Sequence, residues 1–236
     1  MARHQLAFAA DLALERALEV YGSVSAYVGV AKVGLSLFVE HGPKAVEAFQ
    51  ALGAKVFLDL KLHDIPNTVE LASARAGALG VSYLTIHAAG GAEMIRAAVR
   101  GAGEGAARAG HPTPIILAVT VLTSMNDEEL RTIGVGVDAA AQVERLALLA
   151  KASGATGLVC SAREVSEVRR AVGGGMTLCT PGIRPAGADA NDQSRVETPG
   201  AAIAAGSDLL VIGRPISAAA DPVAAARAID TELSSR

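Results

Sequence analysis

The sequence predicts a single (β/α)8 barrel that spans residues 1–236. Short apolar runs alternate with longer Ala-rich segments, and eight such runs can be counted. Gly and Pro stand at the joints between segments rather than at one internal boundary, so no second domain is predicted. Strands that alternate with helices pair in parallel, and eight of these units close into a barrel of about 250 residues.

The predicted strands are short runs dominated by apolar residues. In chain order they are residues 6–10, 27–33, 55–60, 81–86, 114–121, 157–160, 176–180 and 209–212. Segments of helical pattern fill the gaps, at residues 12–21, 43–52, 68–79, 92–108, 139–153, 162–172 and 215–233. The Gly-rich stretches 101–105 and 173–175 lack the strand, turn, helix order of a dinucleotide site and are interpreted as connections. The long polar connection 182–198 follows the seventh strand, where a loop of this length is more often functional than idle.

Composition excludes several classes of function. The formal charge of −3 comes from 21 basic and 24 acidic residues that are well mixed, so no field attracts nucleic acid or an anionic membrane. No signal-peptide core and no apolar stretch of about 18 residues is present, which predicts a cytoplasmic protein without membrane spans. Cys160 and Cys179 are expected to be buried, unpaired thiols. A small molecule is the expected partner.

The most informative segment is the charged end of the third strand. Side chains alternate between the two faces of a strand, so Leu58, Leu60 and Leu62 should face the helices. Phe57, Asp59, Lys61 and His63 should then point into the barrel mouth, where barrel enzymes place catalytic groups. Exposed ion pairs contribute about 0 to 1 kcal/mol and buried charges cost several, so a purely structural salt bridge is a poor explanation.

The charged set also suggests a chemistry. An ammonium held between carboxylates stays protonated, so Lys61 could stabilise a developing carbanion and then donate a proton to it. A carboxylate such as Asp59, placed beside a substrate carboxylate, would disfavour that ground state and relax as CO2 departs.

The run Asp-Leu-Lys-Leu-His-Asp-Ile-Pro-Asn-Thr at residues 59–68 resembles the catalytic motif of bacterial orotidine 5'-phosphate decarboxylases. The resemblance extends over nearly the whole chain, through residues 32–34, 87–91, 119–125, 180–185 and 211–215, each at or just beyond a predicted strand end. It implies a monofunctional enzyme that converts orotidine 5'-phosphate to uridine 5'-phosphate and CO2 in pyrimidine biosynthesis, without a cofactor or a metal.

The resemblance also implies residue roles. Lys61 would protonate C6 of the pyrimidine, Asp59 would lie beside the departing carboxylate, and Lys32 would complete the charge network and touch the ribose. Family members are homodimers in which the equivalents of Asp64 and Thr68 enter the partner's site, so Asp64 would complete the network there.

Further residues would bind the substrate. The resemblance implies that Asp11 binds the ribose hydroxyls and that Thr123 and Ser124 hydrogen-bond the pyrimidine edge. It also implies that the phosphate is bound by Arg184, Gln193, Gly213 and Arg214. Barrels often bind phosphate at the loops after strands seven and eight, which supports the last group independently. The connection 182–198 would then act as a lid. For Asp11 a competing interpretation is a cap on the first helix, and both His63 and His87 are interpreted as supporting the site.

Two alternatives remain open. A metal-dependent sugar-phosphate decarboxylase or aldolase also carries an Asp-x-Lys-x-x-Asp strand, but it needs an acidic metal ligand near the end of strand two, where Lys32 stands. A non-catalytic nucleotide-binding barrel is the other alternative. Loss of a catalytic residue would mark it, yet Lys32, Asp59, Lys61 and Asp64 are all present.

Overall fold

The computed structural model describes residues 3–185 and 197–234, and it confirms the predicted barrel. Eight parallel strands pair in chain order, and the last pairs with the first to close the sheet. They are β1 Leu6–Ala9, β2 Val30–Gly34, β3 Lys55–Leu62, β4 Tyr83–His87, β5 Ile115–Val119, β6 Gly157–Val159, β7 Thr177–Thr180 and β8 Leu209–Ile212. All eight predicted strands are therefore found, with bounds shifted by a few residues.

Helices cover the outside of the barrel. They are α1 Leu14–Val24, α2 Leu35–His41, α3 Pro43–Ala51, α4 Pro66–Ala78, α5 Gly91–Ala109, α6 Asp127–Thr132, α7 Ala139–Ala152, α8 Val165–Val172, α9 Pro199–Ala204, α10 Arg214–Ser217 and α11 Pro222–Ser234. Three short helices, α2, α6 and α9, were not predicted, and the last predicted helix is divided into α10 and α11. In the described ranges, no helix is long and apolar enough to cross a membrane.

The interpretation of residues 101–105 as a connection is wrong, because they lie inside α5. A side chain at Gly105 would put its Cβ 1.9 Å from the carbonyl oxygen of Ala74 in α4, and one at Gly101 would put it 2.2 Å from that of Glu70. These glycines therefore let the backbones of α4 and α5 touch. Close helix contact, rather than a turn, accounts for them.

The core has two layers, as expected for a barrel. Inside the sheet lies a small cluster that includes Phe57, Leu117 and Cys179. Between the sheet and the helices lies a much larger one, in which Leu58 is buried and Leu60 and Leu62 pack against it. The predicted alternation along the third strand is thus confirmed from Phe57 to Leu62, where the strand ends. Both cysteines are buried and unpaired, as predicted.

The pairing of β3 with β4 is irregular at the charged residues. Leu58 pairs with Leu84, but the next pair is Leu62 with Ile86. Three β3 residues, from Asp59 to Lys61, are therefore opposite Thr85 alone. Lys61 has a φ of 48° in this bulge, and no other non-Gly residue in the described ranges has a positive φ. Bulges bend a strand and redirect a side chain, and they are frequent next to active sites.

Candidate active site

A cavity of about 520 Å³ occupies the barrel mouth at the carboxyl ends of the strands. Its walls come from the ends of β1, β2 and β3 and from the segments that follow β5, β7 and β8. The lower wall is apolar and includes Phe57, Val159 and Cys179. Burial raises the pKa of the Cys179 thiol well above its usual value, so this part of the wall stays uncharged.

One side of the cavity carries four charges of alternating sign. Lys61 Nζ lies 2.7 and 2.8 Å from the two carboxylate oxygens of Asp59. Lys32 Nζ lies 3.6 Å from Asp59 Oδ2 and 3.2 Å from Asp11 Oδ1. The order is therefore Lys61, Asp59, Lys32, Asp11. Asp59 and Lys32 are both buried and Asp11 is exposed, so the centre of the network is desolvated and its Asp11 end is open to solvent.

Asp59 has a third partner that sequence reasoning missed. The hydroxyl of Thr85 donates to Asp59 Oδ1 at 2.9 Å, and it accepts the backbone N–H of Lys61 at 2.9 Å. Thr85 lies on β4 and is fully buried. Alternation along β4 could have indicated that Thr85 faces the barrel interior. Its position opposite both catalytic candidates follows from the bulge, which the sequence does not reveal.

Competing effects act on Asp59. Burial works to raise the pKa of its carboxyl, while the ammonium groups of Lys32 and Lys61 and hydrogen bonds from Lys61 and Thr85 work to lower it. The lowering effects prevail, so the pKa of Asp59 lies below its usual value. Asp59 is therefore a carboxylate at neutral pH, with its charge fixed between two cations.

His87 and His63 form a pair beside this network. Their ring centroids are 5.3 Å apart. Burial has the largest effect on His87 and lowers its pKa, and the charges of His63 and Lys61 lower it further. His87 is therefore neutral at pH 7. His63 is exposed and does not line the cavity, because β3 ends at Leu62 and the bulge disturbs the alternation that predicted an inward side chain.

Most of the predicted site residues lie together. Those that line the cavity are Asp11, Lys32, Asp59, Lys61, Thr123, Arg184, Gly213 and Arg214. Ser124, Asp64 and Thr68 are exposed and do not line the cavity of their own chain. Gln193 lies outside the described residues, as does most of the predicted lid.

The structure decides between the two interpretations of Asp11. The residue that caps α1 is Ala13, and no side-chain hydrogen bond caps this helix. Asp11 instead lies between β1 and α1 and contacts Lys32 across the end of the neighbouring strand. The helix-cap interpretation is therefore wrong, and Asp11 belongs to the cavity.

Two arginines line the same cavity from the other half of the barrel. Arg184 follows β7 and is buried, and Arg214 follows β8 at the start of α10. In a closed sheet of eight strands, β7 is opposite β3 and β8 is opposite β4. A Cβ at Gly213 would lie 3.3 Å from that of Ala9, so Gly213 leaves space where the first and last strands meet. The cavity can thus bind an anion beside Arg184 and Arg214 and place the reacting atoms beside Asp59 and Lys61.

The residue types around the site differ from those of a metal centre. At the end of β2, where the metal-dependent alternative needs an acidic ligand, Lys32 points into the cavity. Within residues 3–185 and 197–234, no group of three or more His, Cys, Asp or Glu side chains could hold a metal ion.

Fold and site together define a parallel-barrel enzyme with an alternating Lys/Asp network and an opposing pair of arginines. Known proteins give the family. A family model described as "Orotidine 5'-phosphate decarboxylase / HUMPS family" matches residues 4–229, and the chain belongs to this family. The family predicted from residues 59–68 is thereby confirmed.

Individual relatives agree. Orotidine 5'-phosphate decarboxylase from Anaeromyxobacter sp. (strain K) is 55% identical over 211 residues, which cover 89% of this chain and 89% of that protein. The protein of the same name from Moorella thermoacetica is 50% identical over 211 residues, covering 89% and 84%. The crystal structure of orotidine 5'-phosphate decarboxylase from Lactobacillus acidophilus superposes with a TM-score of 0.86 at 40% identity, covering 98% of this chain and 99% of that one.

Proposed function

We propose that this chain decarboxylates orotidine 5'-phosphate to uridine 5'-phosphate and CO2 in pyrimidine biosynthesis, without a cofactor. The observation that carries the proposal is the Lys61 ammonium bound to both oxygens of the buried Asp59 carboxylate in a family member. Relatives at 50% to 55% identity bear the name of this enzyme.

The charge network suits the bond that breaks. Cleavage of the bond from C6 to the carboxylate releases CO2 and leaves the electron pair on C6. Lys61, held beside Asp59, stabilises this negative charge and transfers one Nζ proton to C6, after which water reprotonates the amine. Asp59 lies beside the departing carboxylate, and the repulsion between the two anions is relieved as CO2 leaves.

Substrate binding uses the rest of the cavity. Arg184, Arg214 and Gly213 hold the phosphate on the wall opposite β3, and Gln193 is proposed to assist them. Asp11 and Lys32 contact the ribose, while Thr123 and Ser124 hydrogen-bond the pyrimidine edge. Binding energy from the unreacting phosphate then stabilises the geometry in which Lys61 acts.

We also propose a homodimer whose sites are completed in trans. Residues 63–68 follow the catalytic strand directly and are all exposed, and Ile65 has 65% of its surface exposed. Within the described ranges, the Asp64 side chain accepts only the N–H of the adjacent Ile65, at 2.6 Å, so its carboxylate is available to a second chain. Asp64 and Thr68 enter the partner's cavity in this arrangement.

The test follows the ultraviolet absorbance of orotidine 5'-phosphate mixed with purified protein, with and without a strong chelator. We expect loss of the orotate chromophore that the chelator does not affect. Lys61→Ala should abolish it. Lys55→Ala is the matched control, because Lys55 begins the same strand at the opposite end and is exposed.

The other outcomes point elsewhere. A folded dimer that neither turns over orotidine 5'-phosphate nor binds uridine 5'-phosphate would favour the metal-dependent sugar-phosphate enzymes. A folded dimer that binds uridine 5'-phosphate but turns nothing over would favour the non-catalytic barrel. Equal activity of the Lys61 and Lys55 variants would overturn the role of Lys61.

A further inference from the structure

The backbone that carries the catalytic lysine is held in an unfavourable conformation. Lys61 has a φ of 48°, in the left-handed region, and lies in a bulge where three β3 residues are opposite Thr85. A residue with a long side chain persists in this region only when its surroundings hold it there, and such residues cluster at active sites. A contact of the surrounding residues must therefore stabilise the left-handed conformation of Lys61.

The hydroxyl of Thr85 contacts two residues of this bulge, and its hydrogen bonds have only one possible direction. The N–H of Lys61 can only donate, so the hydroxyl oxygen accepts it at 2.9 Å. The Asp59 carboxylate can only accept, so the single hydroxyl proton goes to Oδ1, also at 2.9 Å. One oxygen thus links the backbone of Lys61 to the side chain of Asp59. The same two residues are joined a second time by the Lys61 ammonium.

We propose that Thr85 is a positioning residue: its hydroxyl fixes the β3 bulge and so aims the Lys61 ammonium at the reacting carbon. The inference rests on the proposed decarboxylation. Thr85 is buried and does not line the cavity, so it acts through Asp59 and Lys61 rather than by touching substrate.

This position predicts which kinetic constant changes. Thr85→Val keeps the shape of the side chain but leaves the Lys61 N–H without its partner and removes one of the two donors to Asp59 Oδ1. A misplacement of about 1 Å at a reacting group can cost about 100-fold in rate, so we expect kcat to fall about 10- to 100-fold. The phosphate side of the cavity is built on β7 and β8, so the affinity for uridine 5'-phosphate should change less than about threefold.

A pH profile separates positioning from general damage. The hydrogen bond from Thr85 is one of the effects that lower the pKa of Asp59. Its loss should move the acid limb of kcat/KM to higher pH in Thr85→Val. Thr85→Ser keeps the hydroxyl and should restore both the rate and the profile.

The chain offers a matched control in Thr156. Its hydroxyl also accepts a backbone N–H from a neighbouring strand, that of Ile116 at 3.1 Å, but it precedes β6 at the far end of the barrel. Thr156→Val should leave kcat and the acid limb unchanged. If Thr85→Val does not fold, Thr85→Ser against Thr85→Ala tests the same hydroxyl.

The experiment measures kcat, KM, the pH profile and uridine 5'-phosphate binding for these variants, together with crystal structures of the wild type and of Thr85→Val or Thr85→Ala. The proposal would be overturned if Thr85→Val or Thr85→Ala retained the wild-type kcat. It would also be overturned if Thr85→Ser were as slow as the variant without the hydroxyl. If the wild type itself fails to decarboxylate, the proposed function fails, and the crystal structures decide the inference alone. Movement of Lys61 out of the left-handed region supports it, and an unchanged bulge refutes it.

Discussion

Replacing Asp59 with Asn should destabilise the protein, because Asp59 is the one anion between two buried or half-buried cations. Its carboxylate accepts from Lys61 at 2.7 and 2.8 Å and from Thr85 at 2.9 Å, and Lys32 Nζ lies 3.6 Å away. An amide has a single acceptor oxygen, so its NH2 group would face an ammonium or the hydroxyl proton. The ammonium groups of Lys32 and Lys61 would also lose the negative charge that lies between them and offsets their repulsion.

The structure sets the size of this effect. Removing one partner of a buried ion pair costs about 3 to 5 kcal/mol. The lower end applies, since Lys32 keeps Asp11 and the Lys61 side chain is 31% exposed. A loss of about 3 kcal/mol in a chain of this length lowers Tm by roughly 6 to 12 °C.

Urea unfolding at pH 7, followed by circular dichroism, measures the change. Glu104→Gln is the control, because Glu104 and Arg108 form an exposed pair at 3.5 Å that contributes about 0 to 1 kcal/mol. An Asp59→Asn variant as stable as the wild type would contradict the reasoning.

The difference in the free energy of unfolding between the wild type and Asp59→Asn should depend on pH. The folded pKa of Asp59 lies below its usual value, so its contribution is fully present above the unfolded value of about 3.9. It is lost as pH falls through the folded pKa. The gap between wild type and Asp59→Asn should therefore be constant from pH 7 to 5 and shrink below about pH 4. A gap that stays constant down to acid unfolding would mean that charge is not its source.

Three further outcomes are expected. Arg214→Ala should raise KM about 10- to 100-fold, the worth of a charge-assisted hydrogen bond to phosphate, and an unchanged KM would remove Arg214 from the phosphate site. Inactive homodimers of Lys61→Ala and Asp64→Ala, when mixed and allowed to exchange, should regain about one quarter of wild-type sites, because half the dimers are mixed and each has one intact site; no recovery would refute completion in trans. Gly105→Ala should lower the free energy of unfolding by about 1 to 3 kcal/mol through overpacking against α4. Gly103→Ala, in the same helix but 3.9 Å from its nearest neighbour, should be neutral or stabilising, and equal effects would contradict the packing explanation.

The parts of the fold that depend on local pattern could be predicted from the sequence. Alternation along β3 was sufficient to place Asp59 and Lys61 inside the barrel and the leucines outside it. The bulge could not be predicted, because it exists only in the register between β3 and β4. Thr85 therefore resembled any threonine in an apolar strand, although it contacts both of the central catalytic candidates.

The short helices were missed for a different reason. A helix such as α6 has six residues and no apolar period long enough to detect. Its start was nevertheless readable, since Asn126 and Glu129 form a capping box in which each side chain binds the other's backbone N–H. Conversely, the glycines of α5 suggested a connection because glycine lowers helix propensity, and only the contact with α4 explains them.

This contact also links the fold to the proposed dimer. Helix α4 begins at Pro66, directly after the exposed Asp64, so the position of α4 sets where Asp64 leaves the barrel. The backbone of α4 rests on α5 at Gly101 and Gly105, and the Cβ of a side chain at Gly77 would lie 2.2 Å from the carbonyl oxygen of Ala102. A methyl group at Gly105 must therefore push α4 and α5 apart, and any shift of α4 carries with it the segment of Asp64 and Thr68, which the proposal assigns to the partner's cavity.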